Sequence, residues 1–322
     1  MEKILNLAAE QYGFDKEKLR FIGDSCNKIY AFQKNDIWYI LRISERSAPF
    51  AHLTRAELDW MDFLSKNGIN VPSPLLTIKN ERLIAVQENE KYYIICAYTA
   101  FAGQNDYQHW NKNDPNLWNS AIFYNWGKQM GDMHRLTKDY MSSNDIDVRP
   151  HFNRFDLVDS VKSCPSVNKI AEDLIGEMDS LPKDRDSYGL IHADMHQWNF
   201  LIRDGEINVF DFDDSLYGWF ALDIGIALYH ALWWGRTNDT GYDFTKDIIK
   251  SFINGYLSAN QLSDFWLSKI PLFMRYRQIC KFSWYYDPAG IDDHQKERIR
   301  NIEDGVLFTG CEIDLSLFIN CF

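Results

Sequence analysis

The sequence predicts an α+β protein in two lobes, a small one built on an antiparallel sheet and a larger one that is mostly helical, with the boundary near residue 100. Three observations predict it. Short apolar runs joined by polar turns fill the chain up to Tyr98, which is the pattern of strands and hairpins. After Phe101–Gln104 (FAGQ) the apolar spacing becomes helical. Within that helical part, one Asp-Gly hairpin concentrates several carboxylates and an amide.

The elements follow in order. Ile4, Leu5, Ala8 and Ala9 recur at helical spacing, so the chain opens on a short amphipathic helix and not on a signal peptide. Lys18 to Ile22 precedes an expected turn at Gly23-Asp24. Asn27–Phe32 and Trp38–Ile43 read as a hairpin across the polar Gln33–Asp36. Leu53, Leu58, Met61 and Leu64 predict a helix that Asn67-Gly68 stops. Leu83–Gln87 and Tyr92–Tyr98 form a second hairpin, and Leu117–Arg135 a long helix. Helices are expected near 156–162 and 167–178, then strands at Tyr188–His192, Phe200–Ile202 and Ile207–Phe212. The stretches Leu222–Tyr256 and Asp264–Cys280 read as helix.

Composition narrows the class. A net charge of -12 and a pI near 5.1 speak against a nucleic-acid partner, which favours a basic face, and tilt toward a cationic small molecule. The six cysteines, Cys26, Cys96, Cys164, Cys280, Cys311 and Cys321, are scattered without a Cys-x-x-Cys pair and read as reduced thiols. No apolar stretch reaches the roughly 18 residues of a membrane span, so a soluble cytoplasmic protein without a membrane partner is expected.

The chemistry concentrates in Leu190–Asp214, LIHADMHQWNFLIRDGEINVFDFDD. His192, Asp194 and Asn199 fall in a loop after a short strand, and Asp211, Asp213 and Asp214 at the end of a later one. The Asp204-Gly205 turn folds the two ends toward each other. Carboxylate and amide oxygens are hard ligands that suit magnesium held with nucleotide phosphates. Phosphoryl transfer needs one carboxylate for the attacking hydroxyl and further oxygens for metal. Protein kinases space those catalytic Asp and metal-binding Asn residues five apart, as Asp194 and Asn199 are. Asp211 then stands where the Asp of D-F-G would, followed here by Phe212 and Asp213.

With these residues the chain resembles the aminoglycoside phosphotransferase and choline kinase-like family, nearest the bacterial branch that holds type II homoserine kinases and a stress-response kinase. The family's H-G-D-x-x-x-x-N is matched by His192-Ala193-Asp194 through Asn199, its I-D-F strand end by Val209–Phe212, and its distal Asp by Asp223. Leu41-Arg42-Ile43 matches the strand of the phosphate-binding Lys, with Arg in its place, and Glu57 the helix residue that pairs with it. The resemblance runs over roughly residues 20–235.

The resemblance implies a bilobal protein-kinase-like fold, with a nucleotide-binding lobe over 1–100 and a catalytic and substrate-binding lobe over 101–322. It implies ATP, or GTP as the alternative donor, with Mg. Asp194 is then the catalytic base, and Asn199 and Asp211 the metal ligands. Arg42 and Glu57 pair beside the phosphates, Ser25 reaches them from a glycine-poor loop, and adenine meets the segment Cys96–Tyr98. His192 braces the loop, and Asp223 is a buried acid on the loop backbone. Asp213 either contacts metal or substrate or is a solvated cap. Trp219, Tyr229, Trp233, Trp234, Trp284, Tyr285 and Tyr286 are either core or an acceptor pocket whose aromatic faces suit an amine. The expected activity is transfer of the ATP γ-phosphate to a hydroxyl of a small, amine-bearing molecule such as an aminoglycoside or amino alcohol. The alternatives are a protein Ser/Thr kinase, though no Ala-Pro-Glu follows Asp211, and a non-catalytic binding module.

Overall fold

The computed structural model describes all residues except 25, 48–49, 102–117, 143–148, 154, 238–240 and 308–322. The chain divides into two compact units: Met1–Lys112 with Tyr140–Arg149 and Asn208–Asp213, and Asn113–Asp139 with Pro150–Ile207 and Asp214–Phe322.

The first unit is an antiparallel sheet with helices. Helix α1 (Glu2–Tyr12) ends where Gly13 turns left-handed at φ 69, a conformation glycine adopts without a Cβ penalty. Its Ile4, Ala8 and Tyr12 are buried against Phe32, Leu41, Ile95 and Ala97 of the sheet. Strands β1 (Arg20–Asp24), β2 (Lys28–Lys34), β3 (Ile37–Arg46), β4 (Pro74–Leu75), β5 (Leu83–Glu88) and β6 (Lys91–Thr99) lie in the order β1-β2-β3-β6-β4, with β5 also on β6. The β2–β3 hairpin turns on Asn35 (φ 50) and Asp36 (φ 62), and β5–β6 on Asn89 (φ 50) and Glu90 (φ 64). Two consecutive positive φ angles are the twist-matched way to close a two-residue hairpin. The turn expected around Gly23-Asp24 falls just after it, since β1 runs to Asp24 and Asp24 pairs with Lys28 of β2. Strand β1 has an irregularity between Phe21 and Gly23 that a residue without a side chain absorbs. Helix α2 (Ala51–Lys66) buries Glu57, Leu58, Trp60, Met61 and Leu64.

The second unit is mainly helical: α3 (Ser120–Thr137), α4 (Phe155–Val161), α5 (Pro165–Asp179), α6 (Phe220–Thr237), α7 (Gly241–Ala259), α8 (Asp264–Tyr285) and α9 (Asp293–Glu303). Helices α3 and α7 meet at glycines. A Cβ on Gly127 would sit 1.9 Å from the Phe252 carbonyl oxygen, and one on Gly255 1.9 Å from that of Tyr124. The core beside them is aromatic, with Trp126 centred 4.8 Å from Phe200 and 5.5 Å from Phe252. The stretch expected as helix from 222 to 256 is the two helices α6 and α7, and α9 was not expected. Strand β7 (Tyr188–Ile191) pairs with β10 (Leu216–Trp219), also unexpected.

Strands β8 (Phe200–Arg203) and β9 (Glu206–Val209) form the foreseen hairpin, turning on Asp204 (φ 51) and Gly205 (φ 81). The strand expected to reach Phe212 stops at Val209, because Asp211 turns left-handed at φ 65 and Phe212–Asp214 coil into a short 3-10 turn. Cys26, Cys96, Cys164 and Cys280 are free thiols. Among the described residues no helix is long and apolar enough to cross a membrane.

Candidate active site

In the second unit the loop between β7 and β8 is held from below by one buried carboxylate. Asp223, near the start of α6, accepts the backbone N–H of His192 at 3.0 Å and of Ala193 at 2.9 Å. Its third partner is His134 Nε2 at 3.1 Å. A chain of donors fixes that imidazole. Asn260 donates to the Tyr256 hydroxyl at 2.8 Å, the hydroxyl donates to His134 Nδ1 at 3.0 Å, and Nε2–H is left to face Asp223. Burial holds the His134 pKa below its ordinary value despite the carboxylate beside it. The clamp has a clear purpose in backbone terms. Ala193 sits at φ 64, a region that costs a side-chain-bearing residue roughly 1–2 kcal/mol, and two N–H bonds to Asp223 oppose its relaxation. His192 is fully buried, and its Nδ1 accepts the Asp194 N–H at 3.3 Å. It is a brace.

Asp194, just past the strained residue, gathers three partners. Asn199 donates to its side chain and to its backbone oxygen, both at 2.9 Å. His196 Nε2 lies 3.3 Å from the carboxylate. Because His196 Nδ1 accepts the Trp198 N–H at 3.2 Å, the Nε2 carries the proton and donates. The last partner, Arg277 of α8, makes an ion pair and hydrogen bond with the other carboxylate oxygen. Arg277 Nε also donates to His230 Nε2 at 3.0 Å, so His230 is neutral there. Burial and the Arg277 charge push the His230 pKa well down. Burial raises the Asp194 pKa, but the His196 hydrogen bond and the Arg277 charge outweigh it and hold the carboxyl well below its usual range.

Asp194, His196 and His230 have ligand atoms within 4.8 Å of one another, a set that could hold a metal ion. Arg277 already occupies lone pairs on Asp194 and His230 and places a positive charge between them, so that trio is a hydrogen-bonded cluster and not a cation site. Asn199 differs. Both contacts of its amide use the nitrogen, which leaves the oxygen as a hard donor of the kind magnesium takes. Gln197, 2% exposed, has no hydrogen-bond partner for either amide atom among the described residues.

In the first unit Arg42 and Glu57 form the pair that the resemblance implied. Strand β3 places Arg42 opposite Cys96, and both Arg42 terminal nitrogens bond both Glu57 oxygens, at 2.8 and 2.7 Å. The pair is 3% and 1% exposed, a two-pronged geometry only Arg offers. Burial opposes the Arg42 charge, and the Cys96 sulfur, Glu57 and Asp213 more than restore it. Among the described residues Arg42 Nε is buried without a hydrogen-bond partner. Burial lifts the Cys96 thiol to about 11. Burial also raises the Tyr98 hydroxyl, against the pull of Arg42. Cys96 lies between Arg42 and Leu83 and Tyr98 between Ile40 and Pro74, so strands flank both residues on either side. Ser25 lies outside the described residues.

Asp213 is an anchor and not a solvated cap. It accepts from Asn27 at 3.3 Å and Arg46 at 3.4 Å, and its carbonyl oxygen accepts from Arg149, which also holds the Leu53 carbonyl oxygen at 3.1 Å. Burial raises the Asp213 pKa, but Arg42, Asn27, Arg46 and Arg149 bring it below the usual value. Asp211, two residues earlier, is exposed on this unit and offers a carboxylate, a hard oxygen donor like the Asn199 amide. The sequence did not point to Arg46, Arg149, His230 or Arg277. Their spacing from their partners carries no local pattern.

Comparison with known proteins gives the setting. The profile of the phosphotransferase enzyme family, APH, matches residues 19–260. The amicoumacin kinase of Bacillus subtilis (strain 168) is 34% identical over 321 residues, covering 96% of this chain and 94% of that protein. The structure of amicoumacin kinase hAmiN in complex with AMP-PNP, Ca2+ and Ami superposes with a TM-score of 0.83 at 28% identity, covering 94% of this chain and 93% of that one. A microcompartment-associated aminopropanol kinase has a TM-score of 0.72 at 18% identity, with 95% of both chains covered, a likeness of fold.

Proposed function

The chain belongs to the phosphotransferase enzyme family and is a kinase of small-molecule hydroxyl groups, and from that premise we propose how its residues divide the work. ATP is the phosphate donor and magnesium the metal. The relative bound to AMP-PNP and Ca2+ supports a nucleotide and a divalent cation. The first hundred residues form the nucleotide-binding lobe and the remainder the catalytic and substrate-binding lobe. A cytoplasmic location, where ATP is held, fits this reading. The relatives do not favour the protein-kinase and binding-module alternatives.

Asp194 is the catalytic base, and the observation that carries the reading is its setting. A carboxylate fixed by Asn199, His196 and Arg277 has one orientation, and a base of this kind works mainly by position. Asn199 and Asp211 hold the metal through oxygen atoms. When bound, the metal neutralises charge on the phosphates. Arg42, steadied by Glu57, contributes a fixed positive charge on the nucleotide side. Since strands flank Cys96 and Tyr98 on both sides, they line the nucleotide site with side chains more than with backbone. Ser25 completes the phosphate contacts. The acceptor carries an amine, as the net charge of -12 and the name of the similar aminopropanol kinase suggest.

The test is phosphate transfer from Mg-ATP to amino alcohols, aminoglycosides, amicoumacin and a generic protein, with Asp194→Asn beside the native chain. One small-molecule class is expected to be phosphorylated, with a loss of at least a hundredfold in the variant. Transfer to the protein alone, or full activity in Asp194→Asn, would overturn the reading.

A further inference from the structure

A cavity of about 590 Å³ opens in the second unit among α6, α8, α9 and the loop that follows Asp194. It shares a wall with the Asp194 cluster, because His230 lines it and is hydrogen-bonded to Arg277, which in turn holds Asp194. Trp198, the neighbour of Asn199, lines it as well.

Two features of the lining are unusual. The first is aromatic surface left open. Trp233 is 38% and Tyr285 60% exposed, and both face the cavity with Trp198 and Phe282. Open aromatic faces grouped in a concavity are the mark of a ligand site. The second is the sign of the charge. Lys281 and Arg298 line the cavity half-buried, and among the described residues neither has a carboxylate within ion-pair distance. Their contacts are with rings: Lys281 lies 4.7 Å from Trp284 and 5.3 Å from Tyr285, and Arg298 5.4 Å from Tyr285. Burial and the nearby Arg277 charge lower the Lys281 pKa, the direction expected of an ammonium short of an anion. Among the described lining residues Glu297 supplies the one carboxylate.

We propose that this cavity is the acceptor subsite and that it takes an aromatic ring bearing an anionic oxygen group, the ring against Trp198, Trp233 and Tyr285 and the oxygen on Lys281 and Arg298. A partly desolvated cation gains most from a charge-assisted hydrogen bond, and flat rings gain from stacking. The proposal rests on the phosphotransfer reading for the word acceptor, and on the cavity alone for the ligand class. It assigns Lys281 and Arg298 as specificity-determining residues, and it leaves the amine of the acceptor to a part of the molecule outside this wall.

The experiment measures binding without nucleotide, by ligand-observed NMR and calorimetry, for three probes: 4-(hydroxymethyl)benzoate, benzyl alcohol and 1-amino-2-propanol. The benzoate is expected to bind at least tenfold more tightly than the other two. Lys281→Met and Arg298→Met should each remove most of that preference with an unchanged Tm, and Trp233→Ala should weaken both aromatic probes together. Asp194→Asn should keep the preference. Equal binding of the benzoate and benzyl alcohol, tighter binding of the amino alcohol, no binding of any probe, or a preference untouched in both cation variants would overturn the proposal. Failure of phosphate transfer with the preference intact would count against the phosphotransfer reading and leave the ligand class standing.

Discussion

Arg277, midway along α8, holds the carboxylate of Asp194 from 83 residues away in the chain, and the same guanidinium fixes His230 at 3.0 Å. One cation thereby sets both the orientation of the proposed base and the protonation state of a wall of the neighbouring cavity. Both partners are largely shielded from water, so the pair is worth more than a surface salt bridge.

Removing that cation strands a carboxylate. Arg277→Met is expected to cost roughly 3 kcal/mol of stability and to lower kcat. Asp194→Asn in the same chain should recover part of the stability loss, because the uncompensated charge is gone. Urea unfolding of the two single variants and the double variant gives the coupling directly. Additive losses would mean the two side chains do not interact in solution.

The strain at Ala193 predicts opposite effects from two small changes. Ala193→Gly relieves the left-handed φ of 64 and should raise stability by somewhat less than 1 kcal/mol, since the added freedom of the unfolded chain offsets part of the gain. Ala193→Val should lower it by about 2 kcal/mol or more, because a β-branched residue fits that region worst. Chemical denaturation decides, and a neutral Val variant would mean that the clamp on Asp223 does not enforce this conformation.

Acid should weaken the fold through buried histidines. His134 and His230 have pKa values depressed below the ordinary 6.5, chiefly by burial. In the unfolded chain both take up protons near that value. The folded state binds fewer protons, so their contribution is complete above about pH 6.5 and is lost as pH falls toward their folded values, at up to about 1.4 kcal/mol per pH unit for each. Thermal melts from pH 8 to pH 5 should show Tm falling below about 6.5, less steeply in His134→Gln. A flat Tm across that range would contradict the burial of these rings.

Glycine has opposite meanings in two helices. Gly127→Ala in α3 must push α7 away, since its Cβ would stand 1.9 Å from a backbone oxygen, and a loss of about 3 kcal/mol or more is expected. Gly176→Ala in α5 meets nothing within 4 Å and should gain about 0.5–1 kcal/mol from helix propensity. Differential scanning calorimetry of the two variants tests the contrast, and similar Tm values would refute the close packing of α3 on α7.

What the sequence determined by itself is what short-range chemistry can encode. Period-two runs and turn residues located most strands of the first unit; the polar Gln33–Asp36 marked one hairpin there and Asp204-Gly205 another in the second unit, and in both the turn residues take the positive φ that such turns need. The five-residue step from Asp194 to Asn199, and the strand and helix that carry Arg42 and Glu57, were legible because each rests on a local element of known geometry. Tertiary structure decided the rest. Strand β10 was invisible since four residues carry too little pattern without β7 beside them. Arg277 on Asp194, and Arg46 and Arg149 on Asp213, are pairings across 83, 167 and 64 residues. The strength of such contacts depends on burial and on distances after folding, and neither quantity is written in the spacing of the residues that make them.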